Sequence, residues 1–275
     1  MRRLIASIGL LMVAGLCFAL PRSAFDSQWR VATSGGGGES WTPSNDTLTA
    51  WYDASDLSTI TTNASSQCTI WEDKSGSGRK FIESSYPPYF SPSSGNWGGL
   101  PALTFGGNNT RFRTSSTYEY APTNTAGTVF AVYDYDLTTF NNFDGLVTEG
   151  VGGQGFFSAT TADGAKSWYN WGQTVGTNIW IDGVQTMTHT VLNTQHISAG
   201  VDSTPYPITL KLQVGKDRDS ASRIWDGDIV EIIIYPVALS SAYRQRVEGY
   251  LAWKWGIQDI LPAGHPYKAS APTVD

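Results

Sequence analysis

The chain has 275 residues, of which 40% are hydrophobic, 13% aromatic and 15% charged, with 29 glycines, 11 tryptophans and a formal net charge of −6. That length suits one β-rich domain with extra segments, and the apolar share suffices for a core. An acidic chain without a Lys/Arg cluster excludes nucleic acid as a partner and argues against anionic membranes, and two cysteines, Cys17 and Cys68, exclude a disulfide scaffold and a cysteine-based zinc site.

Residues 1–24 open on Met1-Arg2-Arg3, continue through an apolar run from Leu4 to Leu20 and end in Ser23-Ala24. This has the form of a secretory signal peptide; the alternative is a retained hydrophobic arm. Membrane contact is expected only if residues 4–20 are retained. Residues 25–45 hold Gly35-Gly36-Gly37-Gly38 and read as a Gly-rich linker or arm. Trp29 and Trp41 flank these glycines, and docking onto the domain or onto a partner accounts for them. The domain itself is expected over residues 46–275.

Short strands then follow one another. Leu48 to Tyr52, Thr69 to Trp71, Ala102 to Phe105 and Thr128 to Tyr133 are strand-like, separated by turns rich in Gly, Ser, Asn and Asp. Leu146-Val147 and Phe156-Phe157 are shorter runs. Asn178 to Ile181, then Asp182-Gly183 and Val184 to Thr186, form a hairpin with a favoured two-residue turn. His196 to Ala199 and Thr209 to Gly215 alternate. From Asp228 to Tyr235 every residue except the two acids is β-branched or aromatic, and Pro236 ends the run. A helix follows, capped by Ser240 or Ser241, with Tyr243, Val247, Tyr250 and Leu251 at helical spacing and Gly256 at its end. The pattern predicts an all-β fold: a two-sheet antiparallel jelly-roll β-sandwich with a short C-terminal helix.

The order of Ala50-Trp51-Tyr52-Asp53-Ala54, Trp71 to Gly78, Leu103 to Gly107, Asp182-Gly183, Gly215-Lys216 and Gly227 to Tyr235 resembles the laminin-G-like, concanavalin A-like lectin/glucanase jelly rolls. The tail, Glu248 to Gly256 with Leu261-Pro262 and His265 to Lys268, is similar to a bacterial and bacteriophage subgroup. The resemblance covers roughly residues 46–272. It implies a sandwich with a concave sheet, in a family that includes glycan binders, adhesion modules, virion surface proteins and some glycosidases, so fold does not settle function.

Glycan binding needs aromatic faces beside hydrogen-bonding groups. Trp168, Tyr169 and Trp171 provide them in one stretch, and Tyr133 and Tyr135 in another. A structural calcium ion, which the resemblance implies as a cofactor, would be held by Asp73 with Asp226 and Asp228. Asp226, Asp228 and Glu231 approach the acid pattern of laminarinase-type relatives. In a regular strand, however, Asp228 and Glu231 point to opposite faces, so no catalytic residue is expected and the two acids are assigned to turn or helix-end hydrogen bonds. Trp253 and Trp255 are expected to pack the helix on the sandwich. His189, His196 and His265 show no metal-ligand spacing.

The expectation is a non-catalytic, surface-displayed, lectin-like module that binds glycan or a partner protein, extracellular or secreted. The alternative is a virion or cell-envelope decoration protein anchored by its N-terminal arm, with capsid or envelope assembly proteins as partners. The remaining alternative is an extracellular glycoside hydrolase.

Overall fold

A computed structural model describes residues 39–106, 109–114, 127–136, 144–149, 155–160, 167–169, 178–186, 193–202, 212–217 and 223–274. The strands in chain order are β1 (Ala50–Asp53), β2 (Ile60–Thr62), β3 (Cys68–Glu72), β4 (Lys80–Ile82), β5 (Tyr89–Ser91), β6 (Ala102–Gly106), β7 (Phe112–Thr114) and β8 (Gly127–Tyr133). They continue as β9 (Gly145–Glu149), β10 (Gly155–Thr160), β11 (Ser167–Tyr169), β12 (Ile179–Ile181), β13 (Val184–Gln185), β14 (His196–Asp202), β15 (Leu212–Val214) and β16 (Asp226–Tyr235), before the helix α1 (Ser241–Lys254).

These strands form two antiparallel sheets, a β-sandwich with one C-terminal helix. The first sheet runs β13-β12-β14-β8-β16-β6-β5, with β1 also on β16; the second runs β11-β10-β9-β15-β7-β4-β3-β2. Strand β16 is the axis of the first sheet. One edge pairs with β6 from Asp226 to Ile229 and then with β1 from Glu231 to Ile234, while the other edge pairs with β8. Tyr52, Trp71, Phe81, Phe112 and Phe105 make a continuous aromatic core between the sheets, with Tyr52 and Phe81 ring centroids 4.3 Å apart.

The unbroken apolar run of β16 has a physical cause. Its inner face meets the second sheet, and on its outer face Glu231 lies under the end of α1 and Asp228 under Trp97, so every residue after Asp226 is buried. Ser240 caps the helix by accepting from the Tyr243 amide, and Gly256 follows it at φ 70°, in the left-handed region. In the hairpin turn Asp182 and Gly183 both have positive φ, as a two-residue turn of this hand requires. Sequence reasoning passed over β2, β4, β5 and β7. Each is only three residues long, too short for alternation to register.

Residues 39–41 also pack on the sandwich. Ser40 bridges to Thr273, the Trp41 amide donates to the Pro272 carbonyl, and the Trp41 ring is buried against Tyr243 and Tyr250. Of the two accounts of Trp41, docking onto the domain is the one observed. Residues 1–38 lie outside the described residues, and among those described no helix is long and apolar enough to cross a membrane.

Candidate functional site: two groups of acids on one strand

Two groups of carboxylates sit on the outer face of the first sheet, and both draw on β16. The first centres on Glu231. Its Oε1 accepts from Trp51 Nε1 at 2.7 Å; its Oε2 accepts from Trp255 Nε1 at 2.6 Å and Lys254 Nζ at 2.7 Å. Lys254 and Lys74 each reach Asp53 Oδ2 at 2.8 Å. Burial alone would raise Asp53, but the Lys254 and Lys74 ammonium groups outweigh it and hold the carboxyl well below the usual carboxylate range. Burial pushes Glu231 up, against the pull of Lys254. Every oxygen of this group is committed to helix, strand or turn, so it locks α1 onto the sheet and leaves no face for a ligand.

The second group lies where β16 begins. Asp228 pairs with Thr104 on β6, and Tyr133 on β8 pairs with Ile229, which brings Asp134 opposite Asp228. The Asp134 amide donates to the Asp228 carbonyl at 3.0 Å, and the Asp136 amide to the Asp226 carbonyl at 3.0 Å. Residues opposite one another in an antiparallel pair share a face, so Asp134, Asp136, Asp226 and Asp228 form a two-by-two array. Cβ atoms of such cross-strand pairs stand about 5 Å apart. Gly227 allows this approach: a Cβ there would fall 2.5 Å from the Asp134 carbonyl oxygen.

Hydrogen bonds fix the array. Trp97 Nε1 donates to Asp228 Oδ2 at 2.9 Å and Thr104 Oγ1 to Asp228 Oδ1 at 2.6 Å. The Asp228 amide donates to Asp134 Oδ1 at 3.0 Å, and Asn96 Nδ2 to Asp134 Oδ2 at 3.3 Å. Burial pushes Asp134 up to about 7; the Asp228 amide opposes this, and the Asp228 and Asp136 charges add to it. Burial also raises Asp228, against the Thr104 and Trp97 hydrogen bonds, and raises Asp226, with Asp136 adding. Asp136 is exposed and Asp226 half-buried, so the array opens to solvent on one side. A wall separates the two groups: Trp97, bonded to Asp228, packs edge-on to Trp255, bonded to Glu231, at 5.5 Å.

This placement corrects the argument against catalysis from strand alternation. The register of β16 against β8 shifts between Ile229 and Glu231. That bulge moves Glu231 onto the same outer face as Asp228, where regular alternation would have set them apart. Turn and helix-end partners were expected for both acids. Glu231 has helix-end partners in Lys254 and Trp255, while Asp228 bonds Trp97 and Thr104.

Of the acids named for calcium, Asp226 and Asp228 share the array, but Asp73 lies apart from them. Asp73 accepts from the Trp51 amide at 2.6 Å and from Ser75 and Ser77, as a turn acid does. Trp51 pairs with Ile233, seven residues along β16 from Asp226, or roughly 20 Å of strand. Among the described residues no three His, Cys, Asp or Glu side chains converge as metal ligands.

The tyrosines named as a platform point inward. Tyr133 is buried with its hydroxyl 2.7 Å from Ser198 Oγ, and Tyr135 is buried with its hydroxyl on Asp144. Trp168 and Tyr169 lie in β11 with side chains outside the described residues, and Trp171 lies outside them altogether, as does His189. Trp255 and Trp253 pack the helix as expected, Trp253 donating to the Tyr267 carbonyl at 2.8 Å. His196 pairs with Asp182 at 2.7 Å and His265 with Glu248 at 3.1 Å. Cys68 is buried, and burial pushes its thiol up to about 12.

No family model and no curated protein matches the chain. Solved structures do. A Trypanosoma rangeli sialidase in complex with sialic acid matches with TM-score 0.46 and 12% identity over 80% of this chain and 36% of that one. Domain 4 of AbnA, a GH43 extracellular arabinanase from Geobacillus stearothermophilus in complex with arabinotriose, matches with TM-score 0.41 and 15% identity over 71% and 95%. An arabinofuranosidase complexed with arabinofuranosyl-alpha-1,2-xylobiose matches with TM-score 0.48 and 12% identity over 77% and 63%. The chain thus spans about a third of the sialidase's length. Likeness this distant concerns the β layout and transfers no activity. It does correct one expectation. The structures found are of glycoside hydrolases, contrary to the expectation of a non-catalytic lectin-like module or decoration protein that is no enzyme.

Proposed function

We propose that the chain processes glycans by acid–base hydrolysis at the Asp134–Asp228 array, on a sandwich of the concanavalin A-like type. One observation carries this reading: Asp134, buried beside Asp228 and raised to about 7, adjoins exposed Asp136 and half-buried Asp226 at the solvent side of the array. Glycoside hydrolysis needs a protonated acid at the leaving oxygen and an ionised carboxylate to act as nucleophile or to activate water. An acid with a pKa near 7 is about half protonated at neutral pH, poised to give up a proton, which suits Asp134 to the first role. Exposed Asp136 and half-buried Asp226 are the reachable partners for the second. Asn96 and Thr104 offer hydrogen bonds to sugar hydroxyls beside them.

The test is release of reducing sugar from a panel of α-L-arabinofuranosides, arabino-oligosaccharides, sialosides and β-glucans. Asp134→Asn is expected to lower the rate at least about 100-fold, as loss of a general acid does. The wild-type rate should fall as pH rises above about 7, where Asp134 loses its proton. A wild-type chain that releases nothing across the panel, or an Asp134→Asn chain of unchanged rate, would sink the proposal.

A further inference from the structure

We infer that Tyr89 is a stacking platform for a sugar ring next to the acid array, extending the same glycan path toward the sheet edge. This rests on the reading above only for what happens at the acids; the platform is a binding subsite in its own right. Tyr89 pairs with Thr104, and Thr104 pairs with Asp228, across three adjacent strands. Paired residues share a face, and the Thr104–Asp228 hydrogen bond shows that this face is the acidic one. Tyr89, Thr104, Asp228 and Asp134 therefore stand in one row, with Tyr89 about 10 Å from Asp228, two inter-strand spacings away.

The ring is exposed on a backbone that is held in place. Tyr89 is 53% exposed, the most exposed tyrosine among the described large hydrophobics. Its backbone is tied on both sides: Tyr89 bridges to Gln67, the Cys68 amide donates to the Pro88 carbonyl at 2.8 Å, and the Phe90 amide to the Ser66 carbonyl at 2.8 Å. Pro87 and Pro88 restrict the approach to it. The Glu83 carboxylate accepts from the Ser84, Ser85 and Tyr86 amides, and through Arg111 it holds the neighbouring Tyr86 ring under a guanidinium at 5.0 Å. A tyrosine has only two side-chain torsions to order, so on a backbone held before binding its ring contributes contact area at low entropic cost. Beside a row of hydrogen-bonding groups, the chemistry that fits its flat face is the C–H face of a pyranose, while Thr104 takes a hydroxyl. The occupant is one more sugar of an oligosaccharide whose other end reaches the acids.

The experiment is affinity electrophoresis of the full chain in gels containing soluble arabinoxylan, mixed-linkage β-glucan or galactomannan, with Tyr89→Ala, Tyr89→Phe and Asp134→Asn run alongside. Retardation is expected in at least one gel. Tyr89→Ala should weaken it about tenfold, the usual size for losing one aromatic anchor, while Tyr89→Phe, which keeps the ring, should restore it. Asp134→Asn should remain retarded although it releases no sugar. Equal retardation of Tyr89→Ala and wild type, or no retardation of wild type in any gel, overturns the platform. Retardation that depends on Tyr89 in a chain that hydrolyses nothing overturns the hydrolase reading alone.

Discussion

Asp228 and Glu231 stand three residues apart on one strand and one face, yet their surroundings differ. Glu231 has an ammonium group, two indole donors and a second carboxylate that shares the ammonium. Asp228 has an indole and a hydroxyl, and its neighbours across the strand are more carboxylates. No lysine or arginine among the described residues pairs with Asp134 or Asp228. A buried charge that is paired and hydrogen-bonded holds structure together, whereas like charges facing each other strain it. Proteins keep the second arrangement mainly where the perturbed protonation is used. The comparison therefore assigns the Glu231 group to folding and the Asp134 group to chemistry, and it can be broken by asking whether their removal has opposite signs.

The largest effect is expected at Lys254. Lys254→Met keeps the aliphatic stem and removes the cation shared by Asp53 and Glu231. Two buried carboxylates then lose their nearest compensation, and the cost should be about 3–5 kcal/mol in urea denaturation at pH 7. Since the folded Asp53 carboxyl lies below its unfolded value, its stabilisation is present above pH 4 and is lost as pH falls. The gap between wild type and Lys254→Met should accordingly narrow in acid. A gap that widens there would contradict the ion-pair account.

Asp134→Asn should act in the opposite direction. The folded pKa of about 7 lies above the unfolded value near 4, so the folded state holds the proton more tightly. Stability on this account is greatest below pH 4, falls as pH rises from about 4 to 7, and is flat above. The upper bound on that loss is about 4 kcal/mol. An asparagine still accepts from the Asp228 amide and carries no charge. It should stabilise the chain at pH 8 by about 2 kcal/mol and flatten the pH dependence, while abolishing sugar release. Gain of stability with loss of activity is the usual mark of a group kept for function. Thermal denaturation from pH 4 to 8 measures both halves.

How much of this was legible in the sequence depends on the element. The β-branched run of β16, its stop at Pro236, the Ser240 cap, the Gly256 terminus and the Asp182-Gly183 turn all follow local rules that the structure obeys. The array does not. Tyr133 to Asp136 drew attention for its tyrosines, but alternation carried on from Val132 sends the rings into the core and the aspartates outward. That signal was present and read for the wrong residues. The bulge before Glu231 was not legible, because nothing local distinguishes Val230 from its neighbours; it shows only in the register of β16 against β8. The union of Asp53 with Glu231 and Lys254, which lie roughly 180 to 200 residues further along the chain, was likewise beyond any pattern confined to a window.

The smallest effect tests the tryptophan wall between the two groups. Trp97→Phe keeps a ring against Trp255 and removes the indole donor to Asp228 Oδ2. Trp255→Phe removes a donor from Glu231 Oε2, where Lys254 remains. If the groups differ as described, Trp97→Phe should cost about 1–2 kcal/mol at pH 8, where the Asp228 charge is left short of a donor. Trp255→Phe should cost less, because an ammonium still serves the same oxygen. The Trp97→Phe cost should also fade as pH falls through the raised pKa of Asp228, since a protonated carboxyl needs the indole less. Urea denaturation of both variants at pH 8 and pH 4 decides the matter: equal costs that do not change with pH would mean that the two acids are held alike, and the division between a structural and a chemical group would fail.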